Sequence, residues 1–255
     1  MAFIIRMNCL LLIFIVCSSL CYSLEVTLPN WFLYPNEYPD QVVGYSRGKN
    51  SSMEDAAIMH CFYKEVIIEG SYYRYNDYDG RINDYYWNYP PECLVKIKDS
   101  LLPVSSIVSN VLTDSHIGLF SLSPLDIKDD ESFINIKELG KPEWIEKEFW
   151  IEDDYYYSVG MYTSRGEKND AWKTAEERAF FNLVTSVFVY VGAVAINTIT
   201  EDVKGNLIED FEEVIGYNLH TKLSNSQVLE RWPDITNNLY YVLVRVHKDN
   251  INIKK

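Results

Sequence analysis

Alternating apolar and polar residues near the C-terminal end predict a strand with one buried face. The apolar positions on that face are Tyr240, Val242, Val244 and Val246. A second strand is predicted at residues 227–232, and turn-forming residues separate the two segments. The pattern therefore predicts an antiparallel hairpin.

A four-residue period of alanine predicts a helix earlier in the chain. Ala171, Ala175 and Ala179 fall on one helical face, where small side chains let a helix lie close to a sheet. A seam between two copies of the chain is the alternative use of such a face. Residues 191–199 are apolar without a clear period, so the pattern does not decide between a longer helix and a strand. A further helix is predicted at residues 207–219, because acidic residues cluster at its start.

The same series of residues occurs twice in the chain, about a hundred positions apart. Such an internal repeat indicates two copies of one module. Each copy has a Pro-x-Trp segment, a glycine on a predicted strand, an arginine in a loop and an alanine-bearing helix. The repeated residues are Pro29, Trp31, Gly44 and Arg47 in the first copy and Pro142, Trp144, Gly160 and Arg165 in the second. A tryptophan is a natural core residue, and glycine permits close approach of a helix to the strand. The arginines could bind an anion or brace their own loops.

This organisation predicts an α+β fold of two tandem modules, each an antiparallel sheet with helices on one face. The predicted modules span residues 24–123 and 142–255, with a charged linker at 124–141. Residues 1–23 read as a secretory signal, with Arg6 ahead of an apolar segment and Ser23 at the cleavage point. Lipid anchoring through Cys21 is the alternative. We therefore expect export to the periplasm or cell envelope.

The formal net charge of -14 argues against nucleic acid as a partner, because an acidic surface repels phosphates. Outside the signal the chain has two cysteines, Cys61 and Cys93. An oxidising compartment favours a disulfide between them, and two buried thiols are the alternative.

The first module carries an insertion rich in aromatic residues between Asn, Asp and Gly. Aromatic rings with polar tips supply contact area at a small cost in entropy. This segment is the predicted binding surface for an envelope protein or polysaccharide, and packing on its own module is the alternative. Its aromatic residues are Tyr72, Tyr73, Tyr75, Tyr78, Tyr85, Tyr86, Trp87 and Tyr89.

Catalytic and metal-binding patterns are missing from the sequence. The four histidines are scattered, and neither a nucleophile elbow nor a phosphate-binding glycine loop occurs. We therefore expect no metal, no cofactor and no enzymatic activity. A hydrolase that uses a pair of carboxylates is the alternative, although no spacing selects such a pair.

The Pro142-x-Trp144 opening, the strand at Gly160, the alanine helix and the Arg231-Trp232-Pro233-Asp234 segment resemble the twenty-kilodalton outer-membrane lipoprotein family, Lpp-twenty. The resemblance covers residues 142–246 and, in part, 29–57. It implies a small α+β domain, export to the bacterial envelope, frequent lipidation and no established catalysis. The expected function is a binding or structural role in the envelope. Two further expectations are that the protein associates peripherally with the outer membrane and that identical chains assemble into an oligomer.

Overall fold

The structure, a computed structural model, describes residues 26–46, 49–74, 85–107, 110, 112–114, 116–123, 132–164, 166–202 and 215–253. Several predictions from the sequence lie outside these residues. They concern the secretory signal, Arg47, Arg165, Tyr75, Tyr78, the first part of the linker and residues 207–214.

The described residues confirm an α+β fold whose sheets are antiparallel. The helices are α1 Asn30–Leu33, α2 Lys49–Lys64, α3 Pro91–Ile97 and α4 Lys168–Asp202. The first seven strands are β1 Thr27–Pro29, β2 Gln41–Ser46, β3 Glu65–Arg74, β4 Tyr85–Asn88, β5 Leu102–Ile107, β6 His116–Ser121 and β7 Phe133–Asn135. The remaining strands are β8 Phe149–Glu152, β9 Tyr155–Thr163, β10 Ile215–Ser224, β11 Gln227–Asp234, β12 Leu239–His247 and β13 Ile251–Ile253.

Each repeat contributes one sheet with its own helix. Strands β2, β6 and β5 form the first sheet, against which α2 packs. Strands β8, β9, β12 and β11 form the second, against which α4 packs. The order β2–β6–β5 matches β9–β12–β11, so the internal repeat of the sequence corresponds to a repeat of structure.

Two glycines set the distance between helix and sheet in both repeats. A β-carbon on Gly44 would lie 1.9 Å from the carbonyl oxygen of Ser52, and one on Gly160 would lie 2.0 Å from that of Ala175. Neither position has room for a side chain, since real β-carbons do not approach backbone this closely. The alanine face of α4 is fully buried against its sheet, as the four-residue period predicts.

The two repeats share a third sheet, of order β13–β10–β3–β4. Strand β3 of the first repeat pairs with β10 of the second along ten residues, from Glu65 opposite Ser224 to Arg74 opposite Ile215. Strand β7 lies within residues 124–141, the predicted linker, and pairs with β1. Both pairings satisfy backbone groups of one half of the chain with those of the other.

One hydrophobic core runs through both repeats. Phe32 meets Trp172 edge to face at a centroid distance of 5.1 Å, and Phe62 meets Phe180 at 5.2 Å. Each pair joins a residue before position 65 to a residue of α4. The proposed boundary between modules therefore does not separate two cores.

Local predictions fared differently along the chain. The hairpin is confirmed as β11 and β12, with the apolar face of β12 buried, and residues 191–199 belong to α4. The predicted helix at 207–219 is wrong over residues 215–219, which begin β10. These residues supply the partner strand for β3, and that pairing outweighs local helical preference.

Candidate functional site

A buried ion pair joins α4 to β11 within the second repeat. Arg231 Nη2 donates to Glu176 Oε2 at 2.8 Å, and both side chains are almost completely excluded from solvent. Arg231 Nη1 donates to the carbonyl oxygen of Phe32 at 2.8 Å, and the guanidinium lies 4.9 Å from the centre of the Phe32 ring. Burying a charge is costly unless an opposite charge lies beside it, and the Arg231–Glu176 contact provides that pairing.

Two tyrosines of the first repeat complete the environment of the Glu176 carboxylate. The Tyr45 hydroxyl donates to Oε2 at 2.9 Å, and the Tyr63 hydroxyl donates to Oε1. Burial raises the pKa of both tyrosines well above the ordinary value, so both stay protonated and serve as donors. Burial opposes the charge of Arg231, but interactions with Tyr45 and Glu176 outweigh it and raise the pKa of Arg231. The guanidinium stays charged throughout the physiological pH range.

A second ion pair links the two long helices nearby. Lys173 of α4 donates to Asp55 of α2, and the other Asp55 oxygen accepts the backbone N–H of Tyr45 at 2.8 Å. Burial raises the pKa of Asp55, while Lys173 opposes that rise. The pair links α2 to α4 beside the Glu176 cluster, as does the hydrogen bond from Tyr63 to Glu176.

A pocket of about 350 Å³ opens where the two repeats meet. Its wall combines the segment after α1, the start of β2, the C-terminal end of α2 and the turn between β10 and β11. The turn is tied to the helix end, because Asn225 N–H and Ser226 N–H donate to the carbonyl oxygens of Lys64 and Tyr63. The wall includes Trp31, Asn36, Gln41, Lys64 and Arg231.

The pocket adjoins the buried cluster directly. Tyr63 and Arg231 line the pocket and also bond the Glu176 carboxylate. Glu176 does not itself line the pocket, but its hydrogen bonds orient two residues that do.

Three of the six buried polar atoms that have no partner among the described residues belong to the pocket wall. Trp31 Nε1, Arg231 Nε and Gln41 Oε1 are buried and have no hydrogen-bond partner among the described residues. Such an atom ordinarily costs about 1–3 kcal/mol in folding free energy. Three of them in one pocket wall mark a place where hydrogen bonding is still available.

The charge of the pocket differs from that of the whole chain. Arg231, Lys64 and His60 line it, and among the described residues no aspartate or glutamate does so, although the chain carries 37 acidic residues. Burial, with help from Lys64, lowers the pKa of His60, so that this side chain is neutral at physiological pH. The Arg231 charge is balanced by Glu176, whereas Lys64 forms no ion pair with a described residue.

Among the described residues, those that recur in the two halves of the sequence are in the core or at the ends of secondary-structure elements. Trp31 is buried and lines the pocket, so it combines a core role with a place at the site. Trp144 is buried beneath the outer face of the second sheet, and its Nε1 donates to Glu230 Oε2 at 2.6 Å. Pro29 ends β1, and Pro142 precedes a short 3₁₀ helix.

The tyrosine-rich segment is described only in part. Tyr72 and Tyr73 lie on β3 and Tyr85 on β4. Of the described side chains, Tyr86 is 65% exposed and Tyr89 is half-buried, while Trp87 packs against Phe62 at 5.9 Å. The structure therefore places one ring of this segment against the core and one in solvent.

Cys61 and Cys93 form a disulfide bond with a Cα–Cα distance of 5.8 Å. The bond fastens α3 to α2, the helix that carries His60 and Lys64. Sequence reasoning left this pairing open.

Sequence reasoning missed the Glu176–Arg231 pair and its pocket. The available signal was a glutamate four residues from both Trp172 and Phe180, and therefore on the same buried face of α4. A carboxylate in that position needs a buried partner.

Comparisons with family models, with curated proteins and with solved structures find no match to this chain. Within the described residues, no group of histidine, cysteine and carboxylate side chains could hold a metal ion. No helix in the same part of the chain is long and apolar enough to cross a membrane.

Proposed function

We propose that this chain is an exported envelope protein with a non-catalytic binding role, and that it binds a small ligand in the pocket between its repeats. The observation that carries the proposal is the pocket wall, which holds unpaired polar atoms of Trp31, Arg231 and Gln41. Small-molecule sites are typically concave, with a few oriented polar groups, and often lie between structural units. Export rests on the apolar segment at residues 1–23 and on the resemblance to the Lpp-twenty family.

The state of the buried carboxylate favours binding over catalysis. Glu176 has no exposed surface, and its oxygens accept bonds from Tyr45, Tyr63 and Arg231. A general base must reach the proton that it removes, and a carboxylate held in this way does not. A two-carboxylate hydrolase would also need acidic residues at the pocket, and the described wall has none.

A thermal-shift screen with a variant that fills the pocket tests this proposal. Asn36 lies at the pocket and is exposed, so Asn36→Trp should block the opening without disturbing the core. Asn252→Trp, an exposed change on β13 outside the wall, is the matched control. The probes are lactate, lactamide, N-acetylmuramic acid and N-acetylglucosamine.

We expect at least one probe to raise the unfolding temperature of the full chain and of Asn252→Trp, because a ligand that binds only the folded state stabilises it. The same probe should have no effect on Asn36→Trp. Equal shifts in all three proteins, or no shift with any probe at millimolar concentration, would reject the pocket as the binding site.

A further inference from the structure

From the wall of this pocket we infer that its ligand is a small organic carboxylate that also bears a hydroxyl or amino group. The carboxylate accepts hydrogen bonds from Trp31 and Arg231, and the hydroxyl or amino group donates to Gln41. This inference rests on the proposed binding function and adds the chemical class of the ligand.

The two donors belong to residues that line the same pocket. Arg231 Nη1 binds the carbonyl oxygen of Phe32, the residue that follows Trp31. Arg231 Nη2 is occupied by Glu176, while the Nε of the same guanidinium has no partner. Trp31 Nε1 is likewise buried without a partner, and both side chains are more than nine-tenths buried. Two unpaired N–H groups in one pocket wall suit the two oxygens of a carboxylate.

Charge favours an anion over a neutral carbonyl. Lys64 brings a positive charge to the wall without a carboxylate partner among the described residues, and the described wall has no acidic side chain. In a chain with a net charge of -14, the pocket is thus a local exception. A cation at the mouth of a cleft attracts an anionic ligand and repels a cationic one.

The third unpaired atom, Gln41 Oε1, limits the chemical class of the ligand further. Gln41 Oε1 is an acceptor, so a ligand satisfies it only with a donor such as a hydroxyl or an amino group. The three atoms lie beneath the pocket surface, so a ligand reaches them when a wall side chain turns. Gln41 and Tyr38 are half-buried members of the wall and are therefore less constrained than Trp31.

Isothermal titration calorimetry of the full chain tests the inference with two matched pairs of probes. The pairs are lactate with lactamide, and N-acetylmuramic acid with N-acetylglucosamine. Within each pair the first member carries a carboxylate that the second lacks or has as an amide. We expect at least one carboxylate to bind about tenfold or more tightly than its neutral counterpart.

Two substitutions assign the contacts. Trp31→Phe keeps an aromatic ring but removes the Nε1 donor, and Lys64→Gln removes the charge at an exposed position. Each should weaken carboxylate binding by about three- to tenfold, and each should leave the neutral probes unaffected. Lys96→Gln, at an exposed lysine outside the wall, is the control for Lys64→Gln and should bind like the unmodified chain.

The outcomes separate the ligand class from the binding function. Neutral probes that bind as tightly as carboxylates and are blocked by Asn36→Trp would overturn the carboxylate inference and keep the pocket. Carboxylate binding that is unchanged in both Trp31→Phe and Lys64→Gln would overturn the assigned contacts. No binding by any probe would overturn both proposals.

Discussion

Glu176 on α4 and Arg231 on β11 form a buried ion pair, with 2.8 Å between Oε2 and Nη2, and the tyrosines that complete it come from the other repeat. The hydrogen bonds from these tyrosines therefore link the first repeat to the second. The same arginine contributes to the pocket wall, so the stability of the core and the shape of the candidate site depend on the same contacts.

Glu176→Gln should destabilise the protein strongly, because it leaves the Arg231 charge buried without a counter-charge. Removal of one partner of a buried pair typically costs about 3–5 kcal/mol of unfolding free energy. Urea unfolding followed by circular dichroism measures the change. Glu148→Gln, at an exposed position, should change the unfolding free energy by less than about 0.5 kcal/mol.

A double variant distinguishes the loss of charge balance from a general packing defect. Glu176→Leu with Arg231→Met replaces both charges with apolar groups, and we expect it to be more stable than Glu176→Gln alone. A double variant less stable than that single variant would contradict the pairing account.

Gly44→Ala and Gly160→Ala should each destabilise the protein by about 3 kcal/mol or more, since the added carbon would overlap backbone that cannot move independently. The added β-carbon would lie 1.9 Å from the carbonyl oxygen of Ser52 at Gly44 and 2.0 Å from that of Ala175 at Gly160. Gly140→Ala is the matched control, because nothing lies within 4 Å of a β-carbon built there. Similar midpoints of urea unfolding for all three variants would rule out the close helix-to-sheet packing.

Stability should fall as the pH rises through the titration of Glu177. Burial raises the pKa of this carboxyl from 4.5 to about 7, with Lys173 opposing the rise and Glu176 adding to it. The folded state therefore holds the proton more tightly than the unfolded chain. The resulting stabilisation is present below about pH 4.5 and is lost progressively as the pH approaches about 7, by up to about 3 kcal/mol.

Glu177→Gln removes this titration. We expect the variant to be more stable than the unmodified chain at about pH 8 and similar to it at about pH 4. Thermal unfolding across that range measures the difference, with exposed Glu148→Gln as the control. A constant difference between the Glu177→Gln variant and the unmodified chain at every pH would contradict the assignment.

A fragment of residues 142–255 should not fold by itself. It lacks β3, the partner of β10, and it lacks Tyr45 and Tyr63, which bond Glu176. Circular dichroism and amide hydrogen exchange would show an unfolded or loosely packed chain. A cooperative unfolding transition in this fragment would mean that the second repeat is an independent module.

Local periodicity was enough to predict the β11–β12 hairpin and the buried alanine face, because both depend on neighbouring residues in the sequence. It failed for residues 215–219, whose conformation is set by pairing with β3 about 140 residues earlier in the chain. The Glu176–Arg231 pair was missed for a similar reason. Its members are 55 positions apart, and nothing local indicates which buried charge meets which.

Only part of the pocket could have been predicted. Trp31 stood out because its segment recurs in the second half of the chain, and Arg231 stood out through the Arg-Trp-Pro-Asp segment. The closeness of the two residues follows from the hydrogen bond between Arg231 and the Phe32 carbonyl, which depends on the assembled fold. A backbone acceptor carries no side-chain signature, so the sequence could not reveal this contact.

Side-by-side calorimetric titration of the full chain and of Asn36→Trp, with the probe that gives the largest thermal shift, measures whether the ligand binds in the pocket. We expect one binding event on the full chain and none on Asn36→Trp, with Asn252→Trp behaving like the full chain. Equal affinity in all three proteins would contradict binding in the pocket between the repeats.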